Sequence, residues 1–223
     1  QIEGLVIEFF AKDGETVTIR LTSPGCEFDT RSNYATSDKA VKIIGKEFTV
    51  NGVGYKFDSN TSRMEILSEV QVVFKNTDAT SPSPAPGPGP SAVSQEKSQF
   101  TEITSETLFF NYEGKQAIFT GDVVLNDSDL QVTANMLTVF LTAEDELDRL
   151  EAEGNVEIRM DTIRSRSGNA VYTVTDGKLV LTVKPVVYRN ESRLHGEEII
   201  YWHLDKRLEA REARSRFFQK KDS

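Results

Sequence analysis

The chain has 223 residues, 38% hydrophobic and 27% charged, enough for one large or two small domains, and no apolar run approaches the ~18–20 residues of a membrane-spanning helix. Its 35 acidic and 26 basic residues give a net charge of -9, which argues against a broad phosphate-contacting nucleic-acid surface. Cys26 is the single cysteine, so no intramolecular disulfide can form, and the sequence opens at Gln1 with no basic-then-apolar leader, which leaves the export history open.

In chain order, residues 1–78 are rich in short β-branched and aromatic runs bounded by Gly, Asn and Asp, the pattern of half-buried antiparallel strands. Phe48-Thr-Val-Asn-Gly-Val-Gly-Tyr-Lys-Phe-Asp and Arg63-Met-Glu-Ile-Leu-Ser-Glu-Val-Gln-Val are the clearest of these. Residues 79–98 form a Pro/Ser/Gly-rich linker holding five of the seven prolines. Proline removes ladder donors and favours extended polyproline II, so this stretch reads as a solvated spacer between two folded units.

The second unit, residues 99–216, carries a repeat. Arg149-Leu-Glu-Ala-Glu-Gly-Asn-Val-Glu-Ile aligns with Gln116-Ala-Ile-Phe-Thr-Gly-Asp-Val-Val-Leu, 33 residues earlier, and with Lys178-Leu-Val-Leu-Thr-Val-Lys-Pro-Val-Val, 29 residues later. Arg207-Leu-Glu-Ala-Arg and the Arg63 run are further copies. Each spacing is the length of two strands plus two turns. Between the copies lies a second strand type, starting at Leu130, Ile163 and Leu194, that alternates and then passes a small or polar kink. Asp127-Ser-Asp129, Thr175-Asp-Gly177 and Asp205-Lys206 are the turns. Each pair is one coil of a stacked antiparallel hairpin. The apolar residues of the repeated strand fall in one phase: Phe119, Val123 and Leu125; Leu150, Ala152, Val156 and Ile158; Leu179, Leu181, Val183 and Val187. The fold class is all-β.

No catalytic or metal centre is expected. His195 and His203, the only histidines, have no Cys or carboxylate cluster at zinc-ligand spacing. Asp127, Asp129 and Glu144-Asp-Glu146 read as solvated hairpin tips, since the calcium-loop spacing is absent. No nucleophile elbow, Walker loop or dinucleotide fingerprint occurs, so neither enzyme activity nor a cofactor is expected. Residues 217–223 read as a basic tail.

Thr120-Gly-Asp-Val-Val, Glu153-Gly-Asn-Val-Glu-Ile, Gly168-Asn-Ala-Val-Tyr and Leu194-His-Gly-Glu-Glu-Ile resemble the OstA-like family of periplasmic lipopolysaccharide-transport proteins, over nearly all of residues 100–216. The family order of a GNV strand, an A-x-Y strand and a Leu-rich strand ending near Pro is met by Gly154-Asn-Val, Ala170-Val-Tyr172 and Leu179 to Pro185. Val183 departs from it, standing where the family usually has Gly, and the last copy turns into Arg211-Glu-Ala-Arg-Ser-Arg. Ser37-Asp-Lys-Ala-Val-Lys-Ile through Glu69-Val-Gln-Val-Val-Phe resembles the inner-membrane-anchored LptC-like member, so the order is an LptC-like unit followed by an LptA-like one.

The resemblance implies two β-jelly-roll or "taco" units whose facing sheets hold lipopolysaccharide acyl chains, in Gram-negative outer-membrane biogenesis. Its groove-lining candidates are Phe119, Val123, Leu125, Leu150, Ala152, Val156, Ile158, Tyr172, Leu179, Leu181 and Val187. The implied partners are lipopolysaccharide through its lipid A, other Lpt components of the envelope bridge, and further copies joined head to tail by edge-strand pairing. The implied location is the periplasm, with an inner-membrane tether supplied by a segment outside this sequence. The alternative expectation is a closed β-sandwich that serves as a scaffold or oligomerisation module without binding lipid.

Overall fold

Alternation of apolar and polar residues builds strands because successive side chains point to opposite faces of a sheet. The computed structural model describes residues 2–10, 13–75, 100–128, 130–144, 146–160, 163–189 and 192–216. The linker (79–98), the basic tail (217–223), Asp129 and Asp145 lie outside the described residues.

The described elements are all strands: β1 (Ile2–Phe10), β2 (Val17–Asp29), β3 (Tyr34–Gly45), β4 (Phe48–Asp58), β5 (Arg63–Lys75), β6 (Phe100–Ser105), β7 (Thr107–Asn111), β8 (Gln116–Asn126), β9 (Leu130–Leu141), β10 (Leu147–Met160), β11 (Ile163–Thr173), β12 (Lys178–Thr182), β13 (Val186–Arg189), β14 (Ser192–His195), β15 (Glu198–Trp202), β16 (Arg207–Arg211) and β17 (Arg214–Arg216). Every pairing is antiparallel, and each chain pass pairs with the next one in sequence. β6 with β7, β12 with β13, β14 with β15 and β16 with β17 are each one pass broken near its middle. The last copy of the repeat therefore pairs in full: β16 with β15, and β17 with β14. The expected stack of hairpins is a single up-and-down sheet.

The sheet does not lie flat, because every pass turns a corner near its midpoint. Register slips occur between Thr22 and Glu27, Ser37 and Ala40, Asn51 and Val53, Thr120 and Val123, and Glu153 and Val156. At two of these corners the backbone turns left-handed over consecutive residues: Gly121 (φ 83°) with Asp122 (φ 42°), and Gly154 (φ 75°) with Asn155 (φ 51°). The glycines supply the conformation that L side chains avoid. Ladder bonds continue through the bend, with Glu106 N–H donating to the Gly121 carbonyl (3.0 Å), Gly168 N–H to Val183 (2.8 Å) and Glu197 N–H to Arg211 (3.1 Å). Two residues are consumed at the Gly154 corner, so Ala152 before it and Val156 after it both face inward and are buried.

The corner row folds the one sheet into two facing arms. Phe9, after the left-handed Gly4 (φ 68°) of β1, meets Phe57, beyond the Asn51–Val53 slip of β4, edge to face with ring centroids 5.8 Å apart. In a flat sheet two strands would separate those rings. The buried core lies between the arms and runs from Leu21 and Val41 through Ile66, Ile103 and Leu137 to Leu181 and Ile199. Burying each such side chain contributes roughly 1.5–3 kcal/mol before conformational entropy is subtracted.

Hairpin tips in the first half use one device. Asp13, Asp29 and Asp58 each accept a backbone N–H two residues on and the hydroxyl three residues on: Thr16 (2.6 Å), Ser32 (2.9 Å) and Thr61 (2.7 Å). The Thr16 hydroxyl, with the turn amides, pulls the Asp13 carboxyl down to about 2. Asp29, through the Arg31 amide first, and Asp58, through the Thr61 hydroxyl first, are also lowered.

The ladder runs without a break from the first half of the chain to the second. β5 pairs with β6 from Val70 opposite Ser105 to Lys75 opposite Phe100, and with β7 from Arg63 opposite Asn111 to Ile66 opposite Leu108. Among the described residues, β1 at one end and β16 with β17 at the other are paired on one side only.

Candidate functional site: the cleft between the arms

The inward residues near each corner pack against one another, while the arms diverge toward their tips. This leaves a cleft of ≈ 1910 Å³. Its floor is aliphatic and aromatic: Leu21, Val50, Ile66, Val72, Ile103, Leu108 and Phe119. Its walls carry Phe9, Phe48, Phe57, Phe74, Phe110, Met64, Leu130, Leu141 and Met160, with the Phe48 and Phe74 rings 6.3 Å apart. The rim at the arm tips mixes charge with exposed apolar groups: Lys46, Glu47, Lys75, Asp127, Glu144 and Glu146 beside Val17, Phe100, Tyr112 and Leu147. The Lys115 ammonium sits 4.3 Å from the centre of the Tyr112 ring.

Of the candidates expected from sequence, Phe119, Leu125, Leu150 and Tyr172 line this cleft. The other seven are buried away from its walls. Val123, Ala152 and Val156 flank the corners, and Ile158, Leu179, Leu181 and Val187 lie in the C-terminal third, each 5% exposed or less. Beyond β10 the described wall consists only of Tyr172, Val174 and His203, so most of the lining comes from β2 to β10, on both sides of the β5–β6–β7 junction. Burial, with Asp176 assisting, pushes the Tyr172 phenol upward and keeps it neutral.

The wall residues contributed by the first half, Phe9, Phe48, Phe57, Met64 and Phe74, stand outside the sequence-derived candidates. Period-two alternation in Phe48 to Val50 and in Val70 to Phe74 marks them as inward, but the candidates followed the repeat of residues 100–216. Chemically, the walls present mainly methyl, methylene and aromatic surface, with Tyr172 and His203 beyond β10 and the carboxylates and lysines at the rim. Such a lining can take an extended apolar chain out of water and leave a polar end at the mouth.

One corner is polar and closed. Tyr55 is wholly buried beside Ser23 and Cys26, and its hydroxyl lacks a hydrogen bond of good geometry. Burial is the main cause that pushes this phenol up to about 12.

Residues 102–206 match the family model described as "LptA/(LptD N-terminal domain) LPS transport protein", and residues 7–75 match "Lipopolysaccharide-assembly, LptC-related". The boundary between the two matches falls at the β5–β6 pairing. No curated protein matches the chain. Among solved structures it is similar to LptH from Pseudomonas aeruginosa, titled the LptA homologous periplasmic component of the conserved lipopolysaccharide transport device. That likeness has a TM-score of 0.50 at 15% identity and covers 53% of this chain and 95% of the other, and at this identity it shows the fold.

Proposed function

Since this chain belongs to the OstA-like lipopolysaccharide-transport family, with an LptC-related segment ahead of an LptA-type one, we propose that its cleft holds the acyl chains of lipopolysaccharide in transit from the inner toward the outer membrane. Proteins of this family are periplasmic transport and bridge components, not enzymes. The observation that carries the proposal is the apolar cleft crossing the junction of the two matched segments, with Val72 and Phe74 before it and Ile103 and Leu108 after it. Each methylene taken from water contributes about 0.8 kcal/mol, so a few acyl chains suffice to hold an amphiphile. The charged rim keeps the polar headgroup at the mouth.

In this reading, residues 1–78 form the LptC-like unit and 99–216 the LptA-like unit, and the lipid passes from one to the other along one ladder inside one chain. The single-sided strands β1 and β16–β17 are the places where other Lpt components or further copies add by strand pairing.

The test is displacement of an environment-sensitive fatty-acyl probe from the purified chain. Lipopolysaccharide displaces the probe, and Phe48→Glu with Phe74→Glu, at half-buried wall positions, weakens uptake at least tenfold while the circular dichroism of the fold is retained. A wild-type chain that takes up no probe supports the closed-scaffold alternative.

A further inference from the structure

Three outward charges on this sheet face an opposite charge on the neighbouring strand. Arg20 faces Glu8, Lys56 faces Glu65 and Arg211 faces Glu198, each as direct ladder partners with an ion pair. One region does the opposite and sets like charges side by side: the outer side of the arm formed by the end of β10, the start of β11, and β13, β14 and β17. There Arg159 stands directly opposite Arg164, Arg164 opposite Tyr188, Tyr188 opposite Arg193, and Arg193 opposite Arg216 in the backbone ladder. A parallel row runs from Glu157 opposite Arg166 to His195 opposite Arg214.

Inward neighbours Ile158, Ser165 and Val187 are buried, so alternation turns Arg159, Arg164, Arg166, Tyr188, Arg193 and Arg214 to the far side, and the arginines among them are exposed. Glu157 is the only carboxylate in the two rows, and it is shared by Arg164 (3.3 Å) and Arg166 (2.7 Å). Among the described residues Arg159 reaches the Gln131 amide oxygen (3.4 Å) and no carboxylate, and Arg193 lies over the Tyr188 ring (5.7 Å). Among the described residues neither Arg193 nor Arg214 has a carboxylate partner. Like charges placed directly opposite in a ladder destabilise it. In a chain with a net charge of -9, this row is a local field of the opposite sign.

We propose that this outer face docks on an anionic lipid surface through its phosphates. The guanidinium fork matches phosphate oxygens in two-point geometry. Five adjacent strands spaced by about 4.8 Å spread the row over about 19 Å, wider than one small anion and suited to several headgroups in a plane. Tyr188 sits in the middle of the row with a ring suited to the headgroup level, and exposed Val183 and Lys184 stand at the corner of the same pass. The face lies on the opposite side of the sheet from the cleft, so the proposal does not depend on what the cleft holds.

The experiment is co-sedimentation of the full chain with lipopolysaccharide-free vesicles of phosphatidylcholine, with and without phosphatidylglycerol, at low and high salt. The expected result is binding only to the anionic vesicles, weakened by salt, and weakened at least tenfold in Arg159→Gln/Arg193→Gln but unchanged in Arg20→Gln. The thermal midpoint of the double variant is expected to equal or exceed that of wild type, because a like-charge row has been relieved. Absence of wild-type binding, equal binding by the double variant, saturation by inorganic phosphate without vesicle binding, or equal capture by polyglutamate, which would mark an acidic-protein surface, would each overturn the proposal.

Discussion

Val72 of β5 lies directly opposite Ile103 of β6, each 2% exposed, and this pair joins the LptC-related and LptA-type segments through backbone hydrogen bonds and a shared floor. A junction so buried makes the two segments one cooperative body. Urea unfolding followed by far-UV circular dichroism and by the fluorescence of Trp202, the only tryptophan, is expected to give coincident transitions. Ile103→Ala lowers the stability of that single transition by about 2–4 kcal/mol. A separate earlier transition of the first segment would contradict the joined ladder.

The ring contact of Phe9 with Phe57 reports the closure of the two arms. A double-mutant cycle with Phe9→Leu and Phe57→Leu should return a coupling of about 0.5–1.5 kcal/mol. Zero coupling would mean that the arms do not touch at this end in solution.

Corner chemistry gives a pair of opposed predictions. Val183 has φ 61°, a left-handed conformation that a β-branched side chain adopts only under strain, at the position where the OstA-like pattern usually has Gly. Val183→Gly is therefore expected to raise stability by about 1 kcal/mol, with the relieved strain offset in part by the freedom glycine gains when unfolded. Gly154→Ala introduces the same strain at φ 75° and brings its Cβ 2.7 Å from the Asn135 amide nitrogen, so it lowers stability by about 1–2 kcal/mol. Gly14→Ala, at φ 72° in open space, should cost less than Gly154→Ala. Chemical denaturation of the three variants tests the order.

Tyr55 predicts an alkaline limit. Its phenol ionises at about 12 in the folded chain against 10.0 when unfolded, so the folded state holds its proton more tightly. Stability is unaffected below the unfolded value and falls as pH rises from about 10 toward 12. Tyr55→Phe should make that fall shallower, with Tyr172 responsible for part of what remains, as read from the thermal midpoint across the alkaline range.

Strand existence and most of the inward phase were legible in the sequence because period two is a local property; Val183, expected to face inward, is instead exposed at a corner, and Gly121-Asp and Gly154-Asn, read as parts of continuous strands, are corners too. The Val183-Lys184 corner was not legible, since nothing in the composition of that dipeptide signals a positive φ. The β5–β6 seam was also illegible. Alternation tells which face a residue takes but not which strand its backbone pairs with, and the Pro-rich stretch between the two strands suggested separation. The same limit explains the site. Leu179 and Leu181 share the inward phase of Phe119 and Leu150, yet the arms pack together around the first pair and diverge around the second, a difference of tertiary spacing that no single strand encodes.

The most direct test of the central claim, one apolar groove crossing both segments, is site-specific photo-crosslinking of lipopolysaccharide to probes at Phe74, Phe119, Leu181 and Glu157. Crosslinks are expected at Phe74 and Phe119, on either side of the seam, and not at the closed core position Leu181 or the outward Glu157. Labelling at Phe119 without Phe74 would contradict a shared groove, and labelling at neither would contradict lipid carriage in the cleft.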